Sequence, residues 1–271
     1  MFRRQTTGSV VCVSCGYLVG VKDERCYNCG RRNPGLWGYA GAVKKLGNDM
    51  GFVPFVMATC VITYALSLLM SRGQVGMSGM NILSPDPYAL VEIGASGRLP
   101  VLLLHRWWTV LSAVWLHGGL LHIAFNLMWI RQLAPAVSEL YGAGRMVIIY
   151  TVAGILGFVF SVFGGAQLTV GASGAIFGLL GALVYYGRRT GSTHISRQAL
   201  TFAGINFLFG FMMAGVDNFA HAGGFIGGFL MAMLLDPLQP ERVDHMAIAL
   251  VCIALSILSL VASVLVPIAL G

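Results

Sequence analysis

"WLHGGLLHIAFNLMWI", residues 115–130, decides how this chain is to be read. Apart from two glycines, every residue in it is apolar except His117, His122 and Asn126. An uncharged run of this kind is a candidate membrane helix, and polar side chains are costly in lipid, so those present suggest function. On a helix, His122 and Asn126 stand four apart and share a face one turn from each other. His117, five residues before His122, falls about 140° further round the helix and is expected to look elsewhere.

Comparable apolar runs lie on both sides of this one. Those at 52–71, 110–130, 146–163, 172–187, 199–214, 219–235 and 246–269 give seven expected spans. The composition agrees: 57% of the 271 residues are hydrophobic and 10% are charged, with a mean hydropathy of +0.79. A soluble domain carries about a quarter charged residues, so the pattern is that of an all-α polytopic membrane protein. The spans at 172–187 and 199–214 are short. Short, glycine-interrupted segments tend to begin or end inside the bilayer beside a polar cavity.

The net charge of +7 reads as topology, and no nucleic-acid partner is expected. With the N-terminus inside, fourteen of the seventeen Lys and Arg residues fall on the inner side, and only Arg72, Arg98 and Arg106 lie outside. That asymmetry places the N-terminus in the cytoplasm and the C-terminus outside. "MFRRQTTGSVVCVSC" has no apolar run before its cysteines, so no cleavable signal peptide is expected. The size and the lack of a targeting sequence point to a bacterial inner membrane. The long first outer loop, 72–107, mixes prolines and glycines with apolar residues. Trp107 and Trp108 in it suit the headgroup region.

Ahead of the first span, "CVSCGYLVGVKDERCYNCG" pairs Cys12 with Cys15 and Cys26 with Cys29, ten residues apart, with a glycine after each pair. Four thiolates close a tetrahedral shell around zinc and leave no open position, so the expected role is structural. A cytoplasmic location disfavours disulfides, and no βαβ unit is present to carry a redox CxxC. Cys60 and Cys252 sit in apolar runs and read as small buried hydrophobes. The chain therefore divides into a zinc-ribbon-like module (1–35), a linker (36–51), a helical core (52–236) and a further C-terminal span (237–271).

"TVGASGAIFG", residues 169–178, begins the fourth span with Ser173 among small residues, and "DNFAHAGGFIGGFL", residues 217–230, carries His221. Singly, each polar group has a packing explanation: a serine among glycines allows close helix approach, and Asn126 can bridge helices. Together they supply a nucleophile, a base and oxyanion donors. Ser173 at a helix start has free backbone N–H groups nearby. Asp217, one turn before His221 on the same helix, is poorly placed to complete a triad, so the reading is a Ser-His dyad.

"HGGLLHIAFN", "GASGAIFG" and "AHAGGFIGG" resemble, in order, spacing and span, the three signatures of the rhomboid intramembrane serine proteases. The resemblance covers roughly residues 52–235. It implies a six-helix bundle opening its active site outward, with one added helix in a "six plus one" arrangement. It implies Ser173 as nucleophile, His221 as general base, His122 and Asn126 in the oxyanion hole, and His117 in support. It implies transmembrane protein substrates cut in or near their membrane helix, with no cofactor needed for catalysis. Many members carry a Trp-Arg pair in the first outer loop. Here Trp108 is followed by Thr109, with Arg106 nearby. A non-cleaving binder of membrane helices would lack Ser173 or His221, and both are present. A channel would show inverted repeats, and a soluble α/β-hydrolase would need GxSxG where residues 171–175 read GASGA.

Overall fold

The computed structural model describes residues 4–44, 47, 49–72, 74–77, 82–213 and 215–266. A small ribbon precedes a helical bundle. In the ribbon, β1 (Ser9–Val11) and β2 (Leu18–Gly20) pair antiparallel, with Val10 opposite Val19. A short helix, α1 (Ala40–Lys44), follows. The ribbon touches the bundle through the Ser14 hydroxyl, which accepts from Arg31 Nη1 at 2.6 Å and donates to the Glu241 carbonyl at 3.3 Å.

The bundle comprises α2 (Phe52–Met70), the short α3 (Pro87–Ile93) and α4 (Thr109–Ser112), then α5 (Leu120–Tyr141), α6 (Ala143–Gly164), α7 (Ser173–Thr190), α8 (Thr193–Met212), α9 (Asn218–Leu234) and α10 (Val243–Leu265). Seven of these helices overlap the seven expected spans, but α8 begins six residues before its expected 199–214 and is 20 residues long, so that span is not short. Among the described residues α2, α6 and α10 are each long and apolar enough to cross a membrane, and the bent pair α4–α5 makes a fourth such span. α10 begins three residues earlier than expected, and positions 267–269 of that span lie outside the described residues.

The second span differs from its expected form. The chain turns by 92° between Thr109–Trp115 and Leu120–Tyr141, so residues 110–119 do not continue the α5 axis. Leu116 is extended (ψ 153°), and the Gly118–Gly119 pair has little helical preference to oppose the break. At the other end Pro135 does not stop α5, which runs on to Tyr141 and so contains Arg131. Membrane helices tolerate an interior proline where neighbouring groups satisfy the freed backbone.

Burial is inverted relative to a soluble helix. On α10 the buried positions include Ala249, Ser256, Ser259 and Ser263, while Leu250, Val251, Leu258 and Leu265 are exposed. On α9 the buried residues are glycines, alanines and His221, and Phe219, Ile226 and Leu234 face outward. In lipid no hydrophobic force drives helices together, so small residues form the contacts and large apolar ones meet the acyl chains. α9 lies between α6 and α7. A Cβ on Gly224 would stand 2.0 Å from the Gly174 carbonyl oxygen of α7, and one on Gly223 would stand 2.7 Å from the Leu156 carbonyl oxygen of α6. Only glycine permits backbones this close.

Candidate active site

Ser173 is the first residue of α7, following Ala172. Its own N–H and those of the next residues lack intrahelical acceptors, which gathers donors and a positive dipole end at this point. The next residue, Gly174, packs beneath the Ala220 carbonyl, at 3.3 Å from where a Cβ would lie. Ala220 precedes His221, so the α7–α9 contact sets serine and histidine on adjoining turns of two touching helices. The His221 ring stacks on Phe177, one turn after Ser173, with centroids 4.1 Å apart and planes 12° apart. His221 is buried, and its Nδ1 has no hydrogen-bond partner among the described residues.

Asp217 does not serve His221 as a side-chain partner. Its carboxylate caps α9 by accepting from the Ala220 N–H at 3.0 Å, and it accepts from the Ser161 hydroxyl of α6. Both carboxylate oxygens of Asp217 are thus engaged, one by the α9 cap and one by Ser161.

His122 and Asn126 lie on the first turns of α5, the Asn126 amide donating to the His122 carbonyl at 2.8 Å. The Gly118 N–H donates to His122 Nδ1 at 3.3 Å, which makes Nδ1 the acceptor and leaves the proton on Nε2. That Nε2 lies 2.6 Å from where a Cβ on Gly171 would be. Gly171 adopts φ +126°, a conformation that favours glycine, and its N–H donates to the Ala113 carbonyl at 3.0 Å. The His122 Nε2–H donor thus rests against Gly171, two residues before Ser173 in the chain.

His117 corrects the helical-wheel expectation. Its ring meets that of His122 edge-on, with centroids 5.2 Å apart. The wheel fails because residues 116–119 are not helical. His117 is fully buried, and neither ring nitrogen has a partner among the described residues.

Arg106, the arginine near Trp108, is buried. Its guanidinium is 2% exposed and donates to the carbonyls of Val91, Glu92 and Ser263, and it lies over the Trp108 ring at 5.6 Å. Trp107 is exposed, whereas Trp108 turns inward and donates from Nε1 to Ser263 Oγ at 3.1 Å. Nothing in the sequence reading singled out Ser263. The available signal was the Ser256, Ser259, Ser263 spacing, which puts three hydroxyls on one face of an otherwise apolar helix.

In the ribbon the sulfurs of Cys12, Cys15, Cys26 and Cys29 all lie within 4.8 Å of one another, with Cys12–Cys29 at 3.8 Å and Cys15–Cys26 at 3.6 Å. Four sulfurs each about 2.3 Å from one centre stand about 3.8 Å apart in a tetrahedron, so the set fits a metal ion. The two knuckles are equivalent: Gly16 and Gly30, both at positive φ, donate to the carbonyls of Cys12 and Cys26 at 3.0 and 2.9 Å. Burial pushes the Cys29 thiol up to about 12. Against the upward push of burial, bonds from the Tyr17 backbone and the Asn28 side chain bring Cys15 down to about 7. Cys60 is buried and Cys252 half-buried.

Bundle and site together define a polytopic helical membrane protein in which the His122 ring lies against Gly171 and the His221 ring against Phe177, on either side of the start of α7. The family model described as the Rhomboid domain matches residues 104–237, which include all three motifs. YdcA of Bacillus subtilis (strain 168) is 33% identical over 140 residues, 48% of this chain and 67% of that protein. The chain belongs to the rhomboid family. It is also 38% identical over 155 residues to the rhomboid protease GluP of Bacillus subtilis (56% of this chain, 30% of that protein). RHOMBOID-like protein 7 of Arabidopsis thaliana is 33% identical over 160 residues (57% of this chain, 51% of that protein). The chain thus spans about a third to a half of the length of these last two relatives.

Proposed function

We propose that the chain is an intramembrane serine endopeptidase that cuts membrane-anchored proteins within or near their transmembrane helix. Ser173 Oγ attacks the scissile carbonyl carbon while His221 takes the hydroxyl proton. The oxyanion is held by the Ser173 backbone N–H, His122 Nε2–H and Asn126. His221 then gives its proton to the leaving amine as the C–N bond breaks, and water hydrolyses the acyl-enzyme. The observation that carries this reading is the contact of α7 with α9 at Gly174 and Ala220, beside an Nε2–H donor resting on Gly171. Stacking on Phe177 orients the His221 ring where a carboxylate does so in a triad.

In this reading α8 and α9, with the turn at Gly215 (φ +86°), form the entry for a substrate helix, and Ala214 of that turn lies outside the described residues. The division into ribbon (1–35), linker (36–51), catalytic core (52–236) and added helix (237–271) belongs to the same proposal. So does a cytoplasmic N-terminus in a bacterial inner membrane, with the site opening outward. Structural zinc on Cys12, Cys15, Cys26 and Cys29 is the metal the sulfur geometry suits. The test is cleavage of a membrane-anchored reporter by purified protein in liposomes. Wild type cuts, while Ser173→Ala and His221→Ala do not; cleavage by Ser173→Ala at the wild-type rate overturns the mechanism.

A further inference from the structure

Ser173 is delivered to its place by the segment 166–171, and the structure shows what holds that segment. Ser96 and Thr169 exchange backbone hydrogen bonds of 3.1 and 2.7 Å. Arg98 donates to Ala166 at 2.8 Å, Leu99 to Gln167 at 3.2 Å, and Gly171 to Ala113 at 3.0 Å. The acceptors and donors opposite this segment thus come from two stretches, 96–99 after α3 and Ala113 after α4.

Those two stretches are joined directly by the Ser112 hydroxyl of α4, which donates to the Gly94 carbonyl at 2.7 Å, and a second time through Arg106 and α10. Arg106 Nη1 donates to Val91 at 2.5 Å and Nη2 to Glu92 at 3.4 Å, binding the C-terminal turn of α3. The same guanidinium donates to the Ser263 carbonyl near the end of α10, and Trp108, just before α4, donates to the Ser263 hydroxyl at 3.1 Å. Gly94 lies against Ser263, since a Cβ there would be 2.4 Å from its Oγ. The guanidinium has no ion-pair partner within salt-bridge distance among the described residues and is held by carbonyl dipoles and the face of the Trp108 ring. Two of these carbonyls belong to the last turn of α3, whose C-terminal end favours a cation, and the Val91 carbonyl also accepts from the Gly94 N–H at 3.2 Å. A buried cation without its acceptors is strongly disfavoured, so guanidinium and α10 hold each other in place. Arg106 lies inside the stretch matched by the family model and Ser263 lies beyond it.

We infer that α10 is a working part of the catalytic frame, with Arg106 as a positioning residue that ties the end of α10 to the loop locating Ser173. The inference rests on Ser173 being the nucleophile of the proposed protease. Its test uses Arg106→Gln, Arg106→Lys and Ser263→Val in the full chain in liposomes, read by cleavage kinetics and by amide hydrogen exchange at Thr169 and Gly171. The expected result for Arg106→Gln is a kcat at least tenfold lower with KM within twofold, and partial recovery in Arg106→Lys, which keeps a cationic donor. Ser263→Val removes the Trp108 acceptor and crowds Gly94. It is expected to speed exchange at Thr169 and Gly171 about tenfold or more while the amides of α6 and α9 are unchanged. Wild-type protection at both amides in Ser263→Val and Arg106→Gln overturns the inference. Lost protection in variants of a chain that cleaves no substrate even as wild type supports the positioning and refutes the protease reading instead.

Discussion

Replacing Gly224 by alanine tests whether backbone contact between α7 and α9 sets the catalytic geometry. The added Cβ would stand 2.0 Å from the Gly174 carbonyl oxygen, 2.6 Å from its carbon and 2.9 Å from its Cα. All three are backbone atoms and cannot rotate away. Relief to an ordinary contact of about 3.5 Å requires the helices to part by about 1.5 Å. His221 lies one turn before Gly224 and Ser173 immediately before Gly174, so this movement opens the serine–histidine separation directly. A misplacement of about 1 Å costs on the order of 10²-fold in rate, or about 2.7 kcal/mol of barrier. Gly227→Ala is the milder comparison on the same helix: its Cβ would stand 2.8 Å from Leu156 Cδ1, which can turn aside, and 3.1 Å and 3.4 Å from Leu156 Cβ and Ala153 Cα, which need give only a few tenths of an ångström. Gly204→Ala on α8 meets nothing within 4 Å. Initial cleavage rates in liposomes, normalised to folded protein by circular dichroism, are expected to fall about 100-fold for Gly224→Ala, less than about threefold for Gly227→Ala, and not at all for Gly204→Ala. A Gly224→Ala enzyme retaining a third of wild-type kcat, or a Gly227→Ala enzyme equally damaged, would refute the argument.

Three further outcomes follow from the site and the ribbon. Asn126→Ala removes a side-chain donor beside His122 and is expected to lower kcat by about 10–10³-fold at unchanged melting temperature; an unchanged rate restricts the oxyanion donors to Ser173 and His122. Metal analysis of the full chain is expected to give one zinc per molecule, lost in Cys12→Ser and Cys26→Ser. Zinc is also expected to be released on acidification, because the four thiols must give up their protons to bind it and protons compete with the metal for the sulfurs. Zinc retained by both variants would rule out the four-cysteine site.

How far the sequence carries the reading depends on the range of each interaction. The CxxCG knuckles were legible because spacing and a positive-φ glycine are local properties, and the four sulfurs meet as that spacing requires. The span pattern was legible because lipid demands runs of apolar residues. The α5 boundary was misjudged because an apolar stretch looks alike whether it is one helix or two pieces bent at Gly118–Gly119. The orientation of His117 failed for the same reason: the 100° rotation per residue holds only within a continuous helix.

The sequence by itself determined the membrane character of the chain, the four-sulfur cluster, the helix start at Ser173 and the family its motifs signal. Each follows from composition or from spacing within one element. Only the tertiary structure decided which tautomer His122 adopts, that Asp217 is occupied by a cap and Ser161, and that Arg106 finds its acceptor 157 residues away on α10. A buried polar group takes whichever partner the packed helices bring within about 3 Å, and no sequence distance encodes that approach.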